Sequence, residues 1–180
     1  MIFEKLKKFE ENSIARGIPI VGHDKGKWLY EKVIETQPEK ILELGTANGY
    51  SGVILGHENA ELITIEIDEK IAEEAKNNFK IFGINAKVII GDAVEEAKKI
   101  ANEKKNAGSF DLIFIDFAKK KYMEVLDDCI KLVRKNGLII ADNITFPGCQ
   151  DFKEAVLNHK GLDTEIVEIK DGLSCSRKLI

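Results

Sequence analysis

The chain of 180 residues is short of cysteine, proline and tryptophan, and no apolar run in it is long enough to cross a membrane. Each shortage excludes something. Cys129, Cys149 and Cys175 are odd in number and far apart, so they form neither a metal knuckle nor an even disulfide framework, and a reducing, cytoplasmic setting is expected. No stretch approaches the roughly 18 unbroken apolar residues of a bilayer-spanning helix. The opening residues, MIFEKLKKFEENS, interleave charge with apolar positions at helical spacing and are unlike an export signal. A formal net charge of -4 argues against a broad phosphate-binding surface. Lys119 to Lys121 and KKNAGS at 104–109 still leave a local route to RNA. Three nucleotide signatures are missing as well. There is no Gly-x-x-x-x-Gly-Lys phosphate loop, no Tyr-x-x-x-Lys pair of the kind found in one class of dehydrogenases, and no complete Gly-x-Gly-x-x-Gly, because Ala47 stands in its middle position.

What is present is a rhythm. Short β-branched runs recur at KILELG (40–45), LITIEI (62–67), AKVIIGD (86–92), FDLIFID (110–116) and GLIIADN (137–143). Between them, residues 68–83, 93–105 and 120–137 carry apolar positions three and four apart, as helices do, with Asp68 as an N-cap and Gly83 and Gly137 as left-handed stops. Residues 2–15 and 25–36 also read as helices. Alternating strands that are apolar on both sides, with helices between them, predict a doubly wound, mostly parallel α/β sheet covered on both faces. The tail breaks the rhythm: TEIVEI (164–169) and LSCSRKLI (173–180), joined through Lys-Asp-Gly, predict an antiparallel hairpin at one sheet edge. One domain, 1–180, is expected, with residues 1–36 covering the ligand side.

The carboxyl ends of such strands hold ligands. ELGTANGYSG follows the first strand, and Gly45 and Gly49 flank a turn that lets a ligand approach the backbone. Glu66 comes about 20 residues later, at a strand end, where a carboxylate accepts both hydroxyls of a ribose; a solvated strand-end acid is the alternative. Asp92 and Ala93 end the third strand and could read an adenine edge, while Asp92 could also cap the next helix. An adenosyl group with no phosphate cradle fits S-adenosylmethionine. Asp116 ends the fourth strand, and Asp142 with Asn143 ends the fifth. These neighbouring strands would bring two carboxylates and an amide oxygen together, hard ligands suited to magnesium, calcium or manganese. Asp142 and Asn143 could instead begin a turn before Pro147 and Gly148. Lys119 lies three residues beyond Asp116, and its amine, with its pKa depressed by neighbouring positive charge and a metal, could take a proton from an acceptor hydroxyl. Lys120 and Lys121 read as a solvated face.

From about Ile18 onward, LELGTANGYS, ITIEID, IDFAKKKY and ADNITFPGCQDF together resemble the metal-dependent O-methyltransferases, the group that includes the catechol and caffeoyl-CoA enzymes. The resemblance implies a seven-stranded sheet with an antiparallel last strand, S-adenosylmethionine as methyl donor and a magnesium-type ion. It implies cofactor contacts at Val21, Glu43, Gly45, Ser51, Glu66, Ile67, Asp92, Ala93 and Asp116. Asp116, Asp142 and Asn143 are implied as metal ligands, Lys119 as the catalytic base, and Lys119, Asn143 and Glu165 as acceptor contacts. Ala118, beside Phe117, departs from the aromatic wall of the catechol enzyme, and a bulky thioester acceptor is not expected.

The expected reaction is methyl transfer to a vicinal, catechol-like diol by a soluble enzyme, with a homodimer expected from the apolar side chains of Ile2, Phe3, Leu6 and Phe9. Two other functions remain open at this stage: methylation of a hydroxylated uridine in transfer RNA, and a non-catalytic sensor of S-adenosylmethionine.

Overall fold

The computed structural model describes residues 2–180. In chain order they form α1 (Ile2–Ala15), α2 (His23–Thr36), β1 (Lys40–Leu44), α3 (Tyr50–Leu55), β2 (Glu61–Glu66), α4 (Glu69–Phe82) and β3 (Ala86–Ile90). Then come α5 (Ala93–Asn102), β4 (Phe110–Ile115), α6 (Tyr122–Leu132), β5 (Val133–Asp142), α7 (Gln150–Asn158), β6 (Leu162–Val167) and β7 (Leu173–Lys178). The strands make one sheet in the order β3-β2-β1-β4-β5-β7-β6. β7 runs antiparallel to both β5 and β6, and the remaining pairs are parallel. The expected doubly wound sheet with a terminal hairpin is therefore what forms. Among the described residues no helix is long and apolar enough to cross a membrane.

The alternation of side chains along each strand divides the core in two. Leu42, Leu44, Ile113, Ile115 and Ile139 pack under α5, α6 and α7. Their neighbours Ile41, Leu112, Phe114 and Ile140 pack under α1 to α4. Both faces of the central strands are dry, so almost every strand position is apolar, and each large buried side chain contributes about 1.5–3 kcal/mol. Glu43 and its neighbour Thr64 are polar exceptions, both fully buried.

Local signals set the helix ends. Asp68 accepts from the backbone N–H groups of Lys70 and Ile71 and starts α4. Gly83, at φ 71°, ends it as Ile84 N–H reaches the Phe79 carbonyl. Gly137 behaves differently from expectation. α6 stops at Leu132, Val133 already pairs with Phe110, and the register shifts before Leu112 meets Leu138. The positive φ of this segment falls on Asn136. Gly137 lies against the Asp111 carbonyl and the Val133 side chain, so it serves close backbone approach. Lys178 replaces the glycine stop, its Nζ donating to the carbonyls of Ile130 and Val133 at 2.8 and 3.0 Å. α7 was not expected from sequence; it buries Phe152 and Val156, four residues apart.

Candidate active site

The order of strands reverses between β1 and β4, and a cleft of about 480 Å³ opens there at the carboxyl ends. β1 leaves the sheet through Gly45, whose φ of 101° is open to glycine and whose missing Cβ makes room for the Asp116 carbonyl. Gly45 and Thr46 both donate to the Ile65 carbonyl, at 3.0 and 3.1 Å, which ties the turn to β2. Gly49, at φ 92°, then starts α3. Of the cofactor residues expected from sequence, Val21, Gly45, Ser51, Glu66, Ile67 and Asp92 line this cleft, and so do Ala93 and Asp116. Glu66 accepts from Ala47 N–H at 2.8 Å through one oxygen and from Asp68 N–H at 3.0 Å through the other. It therefore shapes the turn and still has lone pairs for a ligand's hydroxyls. Asp92 caps α5 through Val94 and Glu95 and accepts Lys121 Nζ at 2.8 Å; chiefly that lysine holds its carboxyl below the usual range. Lys121 is thus a partner of Asp92 and lines the cleft, beyond the solvated face expected for it.

Glu43 lies beneath the cleft and does not line it. Ser51 Oγ and Thr64 Oγ1 each donate to it at 2.6 Å, and Thr64 also contacts Thr46 at 2.5 Å. Burial pushes the Glu43 carboxyl up to about 8 despite these two hydroxyls. Burial thus favours the protonated form of this acid, which lies one hydrogen bond from Ser51.

The tips of β4 and β5 come together as expected. Ile115 pairs with Ala141, and the residues that follow, Asp116 and Asp142, are close enough that the charge of one acts on the other. Burial first, and the charge of Asp116 second, push Asp142 up to about 6, against the pull of Lys25. Asn143 follows in the left-handed region at φ 55°, which asparagine tolerates. The donor set is two carboxylates and an amide oxygen, and its chemistry fits a hard divalent cation. Among the described residues there is no cluster of three His, Cys, Asp or Glu side chains suited to an ion.

Lys119 sits in the single 3-10 turn that leads into α6. Its Nζ donates to Asp116 at 2.5 Å and to the Tyr122 hydroxyl at 3.2 Å, and that hydroxyl donates to the Ile115 carbonyl. Burial drives the Tyr122 phenol far above its usual pKa, so it stays protonated. Glu165 lies elsewhere: exposed on the edge strand β6, opposite Cys175, outside the cleft lining.

Two partners were not read from sequence. Lys25, in the first turn of α2, is buried and bonds both Asp142 and Asp171. Asp171 comes from the β6–β7 turn, which is held against the Asn143 loop by Ile144 and Thr145 donating to Gly172 and Asp171 carbonyls. Nothing in HDKGK distinguishes a buried lysine from a solvated one except Gly26, which lets α2 approach Ile54 and Tyr50 closely.

Comparison with known proteins bears on this geometry. The family model described as O-methyltransferase matches residues 1–178. A catechol O-methyltransferase of Niastella koreensis is 37% identical over 145 residues, covering 76% of this chain and 65% of that protein. A catechol O-methyltransferase B of Danio rerio is 34% identical over 171 residues, covering 87% of this chain and 64% of that protein. The chain thus spans just under two thirds of the length of these curated relatives. Among solved structures, an O-methyltransferase from Bacillus cereus in complex with SAH superposes with a TM-score of 0.86 at 26% identity, over 97% of this chain and 90% of that one.

Proposed function

The chain belongs to the O-methyltransferase family, and from that premise we propose that it moves a methyl group from S-adenosylmethionine to one hydroxyl of a small vicinal diol of the catechol type, with a divalent cation such as magnesium. The observation that carries this reading is the double position of Asp116, which lines the adenosyl cleft and accepts Lys119 Nζ at 2.5 Å. The reactive end of a cofactor in that cleft and a group able to move a proton would then meet at one residue. The names of the relatives, catechol O-methyltransferases, support the same acceptor class.

In this scheme Glu66 holds the ribose, Asp92 and the Ala93 N–H read the adenine, and Ser51 meets the methionine end. The Pro19–Val21 segment covers them. The carbon–sulfur bond of the sulfonium breaks as the carbon–oxygen bond forms, and a neutral thioether leaves. Asp116, Asp142 and Asn143 would hold the cation, whose charge lowers the pKa of the acceptor hydroxyl. The Lys119 amine, fixed by Asp116 and Tyr122, would in its neutral form take the hydroxyl proton. Much of the acceleration comes from positioning the two reacting atoms.

Labelled methyl transfer to a panel of catechol-like diols, with chelator-treated protein and with added magnesium, tests the proposal. Lys119→Ala is expected to lower turnover about 10²- to 10⁴-fold, the usual range for a lost acid–base group, with affinity for S-adenosylhomocysteine nearly intact. Full turnover in that variant would remove lysine from the chemistry. No transfer to any diol by the wild-type protein, despite tight cofactor binding, would favour the sensor.

A further inference from the structure

Lys25 is 2% exposed, close to the limit for a side chain that carries a formal charge, and both its partners are carboxylates. We infer that Asp171 and Lys25 are positioning residues for the cation ligands Asn143 and Asp142, an inference that rests on the divalent-cation reading above. Asp171 divides its two oxygens. One accepts Lys25 Nζ, and the other accepts Asn143 Nδ2 at 2.6 Å. A carboxylate without a proton only accepts, so the nitrogen end of the Asn143 amide must face Asp171 and its oxygen must turn away. The two ends of an amide are nearly equal in shape, and only the oxygen end can bind a cation. Asp171 therefore decides which end of Asn143 is offered.

Lys25 fixes the other ligand. It donates to Asp142 Oδ1, which also accepts the Asn143 backbone N–H at 2.7 Å. Both hydrogen bonds to Asp142 end on the same oxygen, which sets the carboxylate's rotation and leaves Oδ2 as the oxygen to be offered. The ammonium is held in place by its burial on α2, where Gly26 brings the helix against Ile54 and Tyr50. A single lysine thus locks one ligand directly and the second through Asp171. Outer partners of this kind set ligand orientation and affinity in metal sites generally. A purely structural role would be only to pin the β6–β7 turn to α2, and such a role has no stake in which end of Asn143 faces outward.

Asp171→Asn separates the two. Asparagine keeps the shape of aspartate but has one acceptor oxygen, so it can serve Lys25 or the Asn143 amide and not both. Manganese binding is measured by titration calorimetry on the full chain with S-adenosylhomocysteine present, for wild type, Asp171→Asn and Asp171→Ala. Affinity for manganese is expected to fall about 10- to 100-fold in both variants, with affinity for S-adenosylhomocysteine in the absence of metal close to wild type. The melting temperature falls where buried Lys25 loses one of its two carboxylates, and it serves to show that each variant is still folded at the assay temperature. Unchanged manganese affinity in either folded variant overturns the inference alone. Loss of S-adenosylhomocysteine affinity in step with manganese affinity overturns it too, because the damage is then general. Absence of saturable manganese binding in the wild type overturns the divalent-cation reading and this inference with it.

Discussion

Glu43→Gln tests whether the acid under the cleft is protonated. The carboxyl sits at about 8 in the folded protein against an ordinary value of 4.5, and burial is the main cause. Above 4.5 the unfolded chain gives up that proton and the folded chain keeps it. Stability contributed by this group is therefore full below pH 4.5 and declines as pH rises toward 8, after which no further loss occurs. The span is about 3.5 pH units at about 1.4 kcal/mol each, so the loss is at most about 5 kcal/mol at pH 8 and about 3 kcal/mol at pH 7. Glutamine mimics the neutral acid, with its oxygen accepting from Ser51 and its nitrogen donating to Thr64. The variant should lack this decline. Urea unfolding at pH 5, 6, 7 and 8 should show its stability rising relative to wild type by about 1.4 kcal/mol per pH unit, with unchanged m-values. A constant difference between the two proteins across that range would mean that Glu43 is ionised when folded, and the reasoning would fail.

Two further perturbations address the turn. Gly45→Ala adds a Cβ where the Asp116 carbonyl lies and forces a side chain to φ 101°, so a melting scan should show a loss of several degrees, from strain of about 1–3 kcal/mol or more; an unshifted melting temperature would contradict the close approach. Glu66→Gln leaves one acceptor oxygen for two backbone donors and removes the charge offered to a ribose, and calorimetry should find S-adenosylhomocysteine bound about 10- to 100-fold more weakly, the worth of one charge-assisted hydrogen bond. Wild-type affinity there would dismiss Glu66 as the ribose acid.

The elements that were legible in the sequence were those with a period. The runs at 40–45 and 110–116 are central strands with both sides of the sheet covered, and such strands read as continuous apolar stretches; those at 62–67 and 86–92 lie toward the edge and are less buried but keep their β-branched character. Arg134, Lys135 and Asn136 misled because three polar residues continue a helical pattern as readily as they form the start of β5; pairing of Val133 with Phe110, a tertiary event, decides the matter. The acids at the strand tips were legible since topology alone brings neighbouring carboxyl ends together. The lysine that locks them was not, because Lys25 and Asp171 lie 146 residues apart and no local spacing encodes that meeting. Glu43 shows the same limit: KILEL places it on the helix-covered face, but its proton depends on how completely α3 seals it.

The insertion of β7 between β5 and β6 also has a consequence for biosynthesis. β6 emerges from the ribosome first, yet its only neighbour in the finished sheet is β7, so it has no docking place when it is made. Until β7 follows, the outer rim of β5 stays bare, an open template for stray strands. The nascent chain passes through an interval in which five strands are paired and the outer edge of β5 is open, and that interval is where a chaperone would matter most.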